Sequence, residues 1–198
     1  MGHAMADTLD QAQAHFRELG NYQVTLRSVA ADGDRQEIRY FFQPPGWVRM
    51  EFVQPHRGLV MIYDPGARRV RLWPFGVNAV PPLSFSPDNP LLRNPRGHRI
   101  DHSDVGALLA HLSALRTQGR LSPLGEANIG ARPAIGLEVS GNAGITEAGV
   151  HRYRVWLARD LLFPLKVESF GLNGGLIESV DMSDAETGIT FPERFFTP

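Results

Sequence analysis

Cysteine is absent from the 198 residues, which excludes disulfides, thiolate metal sites and cysteine nucleophiles. Lysine is nearly absent: Lys166 is the one lysine among 20 basic side chains, and the arginines that make up the rest are scattered. With 21 acidic residues the net charge is -1, so there is no electrostatic reason to expect a nucleic-acid partner. No apolar run approaches the roughly 18–20 residues that span a bilayer as a helix. No serine sits in a G-x-S-x-G elbow, and no glycine-rich loop opens a helix to receive a phosphate. Asp181 and Asp184 fall near a strand end and read as solvated. No nucleophile, base and orienting group stand together, so neither bond chemistry nor a cofactor is expected.

What is present is apolar and periodic. Apolar residues make up 42% of the chain, enough for a core. Leu9, Ala12, Phe16 and Leu19 recur at helical spacing and predict a short helix over Asp7–Leu19, stopped by Gly20-Asn21. From Tyr22 the period becomes two. Strands are predicted over Tyr22–Val29, Gln36–Gln43, Trp47–Gln54, Leu59–Tyr63 and Arg69–Phe75, separated by turns too short for parallel crossovers. A proline-rich stretch, with Pro81, Pro82, Pro87, Pro90 and Pro95, then predicts an irregular lid loop over 75–102. A helix follows over 103–118, carrying Val105, Leu108, Leu109, Leu112 and Leu115. Further strands are predicted over Ile135–Val139, Arg152–Ala158, Leu165–Phe170 and Leu176–Met182, the last two joined at Leu172-Asn173-Gly174-Gly175.

Within the strands, apolar and charged residues alternate. Val48, Met50 and Phe52 oppose Arg49 and Glu51; Tyr153, Val155 and Leu157 oppose Arg152 and Arg154; Leu165 and Val167 oppose Lys166 and Glu168. An apolar face must be buried against something, and two short helices cannot cover so many strands. The fold class expected from the pattern is mainly β (α+β): an antiparallel sheet of eight or more strands that curls or leaves part of its apolar face uncovered, with an N-terminal helix and a central helix and lid insertion. Provided no bulge shifts the parity, the cavity candidates are Val48, Met50, Phe52, Met61, Tyr63, Val155, Leu165 and Val167, with Leu108 and Leu112 from the second helix. A filled core is the bland alternative.

Other residues invite sharper readings. His98 and His102 are four apart with Asp101 between them, a spacing that holds a metal only on one helical face. His98 precedes the helix, so no metal site is expected, and Asp101 and Ser103 read as capping residues. Trp47, Trp73 and Trp156 share parity with charged positions and are expected on the less buried face, stacked with arginine side chains or forming a partner or membrane-surface patch. Met1 to Met5 read as an added tag. A secretory signal, with or without a lipid-bearing cysteine, is expected to have been removed.

The segments Gly46-Trp47-Val48-Arg49-Met50-Glu51-Phe52 and Val60-Met61-Ile62-Tyr63-Asp64-Pro65 resemble strands of the bacterial outer-membrane lipoprotein carriers (LolA/LolB-like proteins). So do Phe163-Pro164-Leu165-Lys166-Val167-Glu168 and the closing Phe191-Pro192-Glu193-Arg194-Phe195-Phe196. The resemblance implies a half-open antiparallel β-barrel of about 8–11 strands, one domain over 1–198, whose concave face is lidded by the helices and holds acyl chains of a lipid or acylated protein, in the periplasm or against the outer membrane. It also allows an envelope protein partner and peripheral membrane contact. Gln43-Pro44 departs from the family, whose carriers have a basic latch residue before that proline, so gated handover is not implied. The expectation from a different class is an envelope sensor or protein-interaction module with a filled core.

Overall fold

A computed structural model describes residues 2–77, 79–92 and 99–198, with side chains from Thr8 onward. Among the described residues two α-helices, α1 (Gly2–Glu18) and α2 (Val105–Thr117), accompany twelve strands. In chain order these are β1 (Tyr22–Ala30), β2 (Arg35–Gln43), β3 (Trp47–Gln54), β4 (Val60–Asp64), β5 (Arg69–Trp73), β6 (Leu83–Phe85), β7 (Gly119–Ile129), β8 (Arg132–Gly141), β9 (Arg152–Ala158), β10 (Pro164–Phe170), β11 (Leu176–Asp181) and β12 (Glu186–Thr187). Their order is β6-β5-β4-β3-β2-β1-β11-β10-β9-β8-β7, with β12 beside β1. The path does not close, and every recorded pairing is antiparallel. The expected class, mainly β and open, is therefore the one found.

Twelve strands exceed the expected 8–11 because three pieces carry weak signals. β6 lies inside the proline-rich stretch, at the end of the sheet, where prolines nearby cost no ladder bonds. β12 has two residues. β7 contains Pro123 and Gly125, and its register shifts between them. Gly125 has a left-handed φ of +85°, and a bulged end strand tolerates both residue types.

The chain divides into two compact units, Met1–Glu18 with Arg27–Arg35 and Val105–Asp184, and Leu19–Leu26 with Gln36–Asp104 and Ala185–Pro198. Both α-helices belong to the first. There α1 packs on α2 and on β7, while α2 lies against β7 and β8. Leu9 and Ala12 from α1, and Leu109, Leu112 and Leu115 from α2, are buried. Gln13 Nε2 donates to the Leu109 carbonyl at 3.1 Å, and Arg116 pairs with Asp10 at 2.8 Å. Across the strands, Leu137, Val155, Val167 and Val180 form one row. Glu138, Arg154, Glu168 and Ser179 form a row of the opposite parity.

The second unit is the meander β2 to β6 with part of β1, β12 and the C-terminal segment. Here the simple division into a charged and an apolar face fails. Val60, Ile62 and Trp73 alternate with the predicted apolar face yet are buried, and Phe196 packs with them, joined by Phe41, Trp47, Val77, Phe191 and Phe195. The closing Phe191–Phe196 segment thus covers the second face. Trp73 is 2% exposed and Trp47 half-buried, which corrects the expectation of exposed indoles at these two positions. A strand such as β4, with Val-Met-Ile-Tyr in succession, is apolar on both sides because both sides are covered.

Candidate functional site

The second unit's first apolar face is assembled by register. Tyr40, Met50, Met61, Leu72 and Leu83 stand opposite one another in a single row across β2 to β6. Phe42, Val48, Tyr63, Val70 and Phe85 form the adjacent row, and Ile38 pairs with Phe52 beyond. Five of the ten cavity candidates, Val48, Met50, Phe52, Met61 and Tyr63, are therefore brought onto one face. Tyr40, Phe42, Leu83 and Phe85 share it without having been singled out, whereas Val70 and Leu72 share it as their alternation with Arg69 and Arg71 predicts. Alternation in β2 could have revealed the first two, but the run Tyr40-Phe41-Phe42 masks it.

Burial along this face is graded. Tyr40 is 1% exposed, Met50 9% and Met61 5%, while Leu72 is half-buried and Leu83 is 51% exposed. Phe52, Tyr63 and Phe85 are half-buried as well. The stretch after β5 adds Phe75, Val80 and Leu91 to the exposed large apolar residues. Along the Tyr40–Leu83 row the face is sealed at β2–β4 and open at β6; in the adjacent rows Val70 is fully buried, while Phe52 and Tyr63 keep part of their surface exposed.

Polar groups fix the sealed end. Tyr22 stacks on Tyr40 and on Phe42, with ring centroids 6.0 and 5.1 Å apart. The Ser103 hydroxyl donates to the Ile100 carbonyl at 2.7 Å, so with its one hydrogen committed it accepts from the Tyr40 phenol at 3.1 Å. Ser103 is thus a tie to the sheet, and α2 begins only at Val105, which replaces its expected capping role. Burial pushes the Tyr40 phenol well above the ordinary tyrosine range. Burial, followed by the nearby Asp101 charge, also raises Tyr63.

Asp101 is an ion-pair partner and not a cap. Arg99 donates Nε and Nη2 to its two carboxylate oxygens at 3.0 and 2.7 Å, and Nη1 reaches Asp88 at 2.5 Å. Burial alone would raise the Asp101 carboxyl; the Arg99 hydrogen bond and the His102 and Arg99 charges override it and hold it below its usual value. His98, the other half of the His-x-x-x-His spacing, lies outside the described residues. Among the described residues no group of His, Asp or Glu is placed to hold a metal ion.

The other five candidates belong to the first unit. Val155 and Val167 face each other in register and are buried, as is Leu112, while Leu108 is half-buried on α2. Leu165 departs from them. The register shifts between Pro164 and Lys166, and Leu165 packs with Ala134, Ala158, Ile129 and Trp156. The bulge inserts an extra residue and ends the simple parity between Leu165 and Val167. Trp156 carries Lys166 Nζ 5.0 Å from its ring centre, a cation contact made by the lysine in place of the expected arginine.

Two clefts are lined mainly by other residues, although Phe52 borders the second. One, of about 530 Å3 in the first unit, is bordered by Arg120, Glu138, Arg152 and the β10–β11 turn. The other, of about 970 Å3 in the second unit, is bordered by Arg39, Arg49, Arg57, Val60 and Phe75. No helix among the described residues is long and apolar enough to cross a membrane.

No protein-family model and no curated protein matches this sequence. Solved structures do. A chain of the MucA/MucB complex of Pseudomonas aeruginosa is 18% identical, with a TM-score of 0.61 over 98% of this chain and 61% of that one. An uncharacterized conserved protein from Thermus thermophilus is 12% identical, with a TM-score of 0.58 over 97% of this chain and 91% of that one. The lipoprotein LppX of Mycobacterium tuberculosis is 9% identical, with a TM-score of 0.56 over 97% of this chain and 100% of that one. The chain spans about three fifths of the Pseudomonas chain, 61%, and nearly all of the other two. These likenesses show the fold alone, the open antiparallel α+β arrangement that this chain shares with those structures.

Proposed function

We propose that this protein is a non-enzymatic binding protein of the bacterial envelope, working in the periplasm or against the outer membrane, that holds the acyl chain of a lipid or acylated protein. The observation that carries this reading is the exposure gradient on the second unit's apolar face. An acyl chain laid along Leu83, Phe85 and Leu72 would bury surface that is otherwise wet, at roughly 25 cal/mol per Å2. Apolar rows with few polar groups suit a hydrocarbon and supply no catalytic set. Met50 and Met61 at the inner end are unbranched and adapt to chains of differing shape.

The direct test is native mass spectrometry of the purified protein for co-purified lipid, followed by titration with a fluorescent fatty acid. Leu83→Asp and Leu72→Asp place a charge on the open part of the face and are expected to weaken probe binding by at least about tenfold. A second reading, a protein-interaction module, is favoured by one observation: Val48, Met61, Val155 and Val167 are already buried. The likeness to a chain of a two-protein complex is in keeping with it. A wild-type protein that carries no lipid and binds no acyl probe would replace the carrier reading with this one.

A further inference from the structure

The first unit presents a polar face that acyl binding does not use. Arg120, Ser140, Arg152 and Phe170 form one cross-strand row on β7, β8, β9 and β10, paired Arg120 with Ser140, Ser140 with Arg152, and Arg152 with Phe170. Two strand spacings put the backbones of Arg120 and Arg152 about 10 Å apart, and the residue between them is a serine. Its short side chain leaves a slot between two guanidinium-bearing strands that a longer residue would fill. The slot belongs to the cleft of about 530 Å3 whose far wall is Leu172-Asn173-Gly174.

Both arginines are held in place with little neutralisation. Arg120 donates Nε to Ser140 Oγ at 3.3 Å, and the Arg152 guanidinium lies 4.2 Å from the centre of the Phe170 ring. The carboxylate in the cleft, Glu138, takes a 2.8 Å hydrogen bond from Arg154 and stands 3.9 Å from Arg152. It is thus committed mainly to a third arginine. Asn173 Oδ1 accepts from the Gly175 amide at 3.0 Å, which leaves its NH2 group to donate. Planar forks on either side of a small gap suit a tetrahedral oxyanion, which guanidinium binds through paired hydrogen bonds. Leu172, 58% exposed on the cleft's lip, sets an apolar tip beside this basic slot.

We propose that the Arg120–Ser140–Arg152 slot binds the phosphate of a phosphoester, either a phospholipid headgroup or a soluble phosphate ester. The proposal stands apart from acyl binding in the second unit. Its test uses the full chain, with backbone amide resonances followed by NMR during titration with glycerol phosphate. A parallel arm measures retention on phosphatidylglycerol and phosphatidylcholine vesicles at low and high salt. Saturable shifts at Asn142 and over 171–174, abolished in Arg120→Gln/Arg152→Gln, support the site. Retention on phosphatidylglycerol that is lost with salt and in the double variant assigns the source to lipid; shifts with glycerol phosphate without vesicle retention assign it to a soluble ester. Arg152→Lys keeps the charge but removes the fork, and is expected to weaken binding about tenfold. No shift with glycerol phosphate together with no preference for anionic vesicles overturns the proposal, as does binding that the double variant retains. The shift mapping is done on the unaltered chain, so it decides the matter even if a variant fails to fold. Fluorescent fatty-acid affinity of the double variant is expected to be unchanged, which separates failure of this site from failure of the carrier reading.

Discussion

Arg49 and Phe195 are joined twice: Arg49 Nη1 donates to the Phe195 carbonyl at 2.6 Å, and the guanidinium sits 4.3 Å from the centre of the same residue's ring. The remaining guanidinium nitrogens bind Glu51 Oε1 at 2.8 and 2.6 Å. A second arginine, Arg71, donates to the Phe196 carbonyl at 2.8 Å. Two arginines of the second unit's sheet thereby fasten the C-terminal segment over Trp73 and Ile62. The charged residues of that face are the anchors of its apolar cover.

Removing the first anchor is expected to loosen the cover. Arg49→Ala deletes charge-assisted hydrogen bonds to Glu51 and Phe195 and leaves both acceptors without that donor, at a cost of about 2–3 kcal/mol. Urea melts followed by tryptophan fluorescence measure it, with a red shift as Trp73 becomes wet. An unchanged midpoint and spectrum would show that the aromatic contacts alone hold the segment.

Enlarging a side chain should separate sealed from open positions. Leu112→Trp, on a helix position with 0% exposure, overpacks its surroundings and is expected to cost about 1–3 kcal/mol. Tyr63→Trp lies where the apolar face is half-exposed, and is expected to change stability by less than about 1 kcal/mol while weakening the fluorescent fatty acid. Equal destabilisation by both, with probe binding intact, would contradict an open face at Tyr63.

Gly136 marks a close approach in the first unit. A Cβ there would stand 2.8 Å from Leu124 Cβ and 3.1 Å from Trp156 Nε1. Gly136→Ala is therefore expected to displace the indole and to cost about 1–3 kcal/mol, read as a lowered denaturant midpoint. Gly144→Ala is a useful contrast, because nothing lies within 4 Å but the backbone has φ +80°. Its cost comes from strain alone, about 1 kcal/mol.

Alkaline stability should carry the tyrosines' signature. Burial first, then the Glu147 charge, raises Tyr153 to about 12, and burial pushes Tyr40 up further. A phenol whose pKa is higher folded than unfolded contributes stability that is complete below the unfolded value of 10.0. That stability is lost as pH rises from there through the folded values. Absorbance at the phenolate band is expected to lag an unfolded control between about pH 10 and 12 and to rise together with loss of the circular-dichroism signal. Tyr40→Phe removes a buried phenol from this balance, so its stability should fall less steeply over that range. Early, independent ionisation of all four tyrosines would mean that these sites are wetter than described.

Local pattern alone determined much of this protein. Alternation with period two is a property of neighbouring residues, so the sequence by itself set the antiparallel meander and the common face of Val48, Met50, Phe52, Met61 and Tyr63. The Asn173-Gly174 hairpin and the helix carrying Leu109, Leu112 and Leu115 were legible for the same reason. Which apolar surface would be covered was a tertiary decision. Phe196 reaches Trp73 from far along the chain, and no local signal shows that the face bearing Arg49 and Arg71 will be capped. Register decided the rest. A bulge at Pro164–Lys166 sends Leu165 to Trp156 instead of to Val167, and only strand pairing sets Arg120 and Arg152 on either side of Ser140. Residues far apart in the chain become neighbours through backbone hydrogen bonds, whose pairing depends on the whole sheet and is not written into either segment alone.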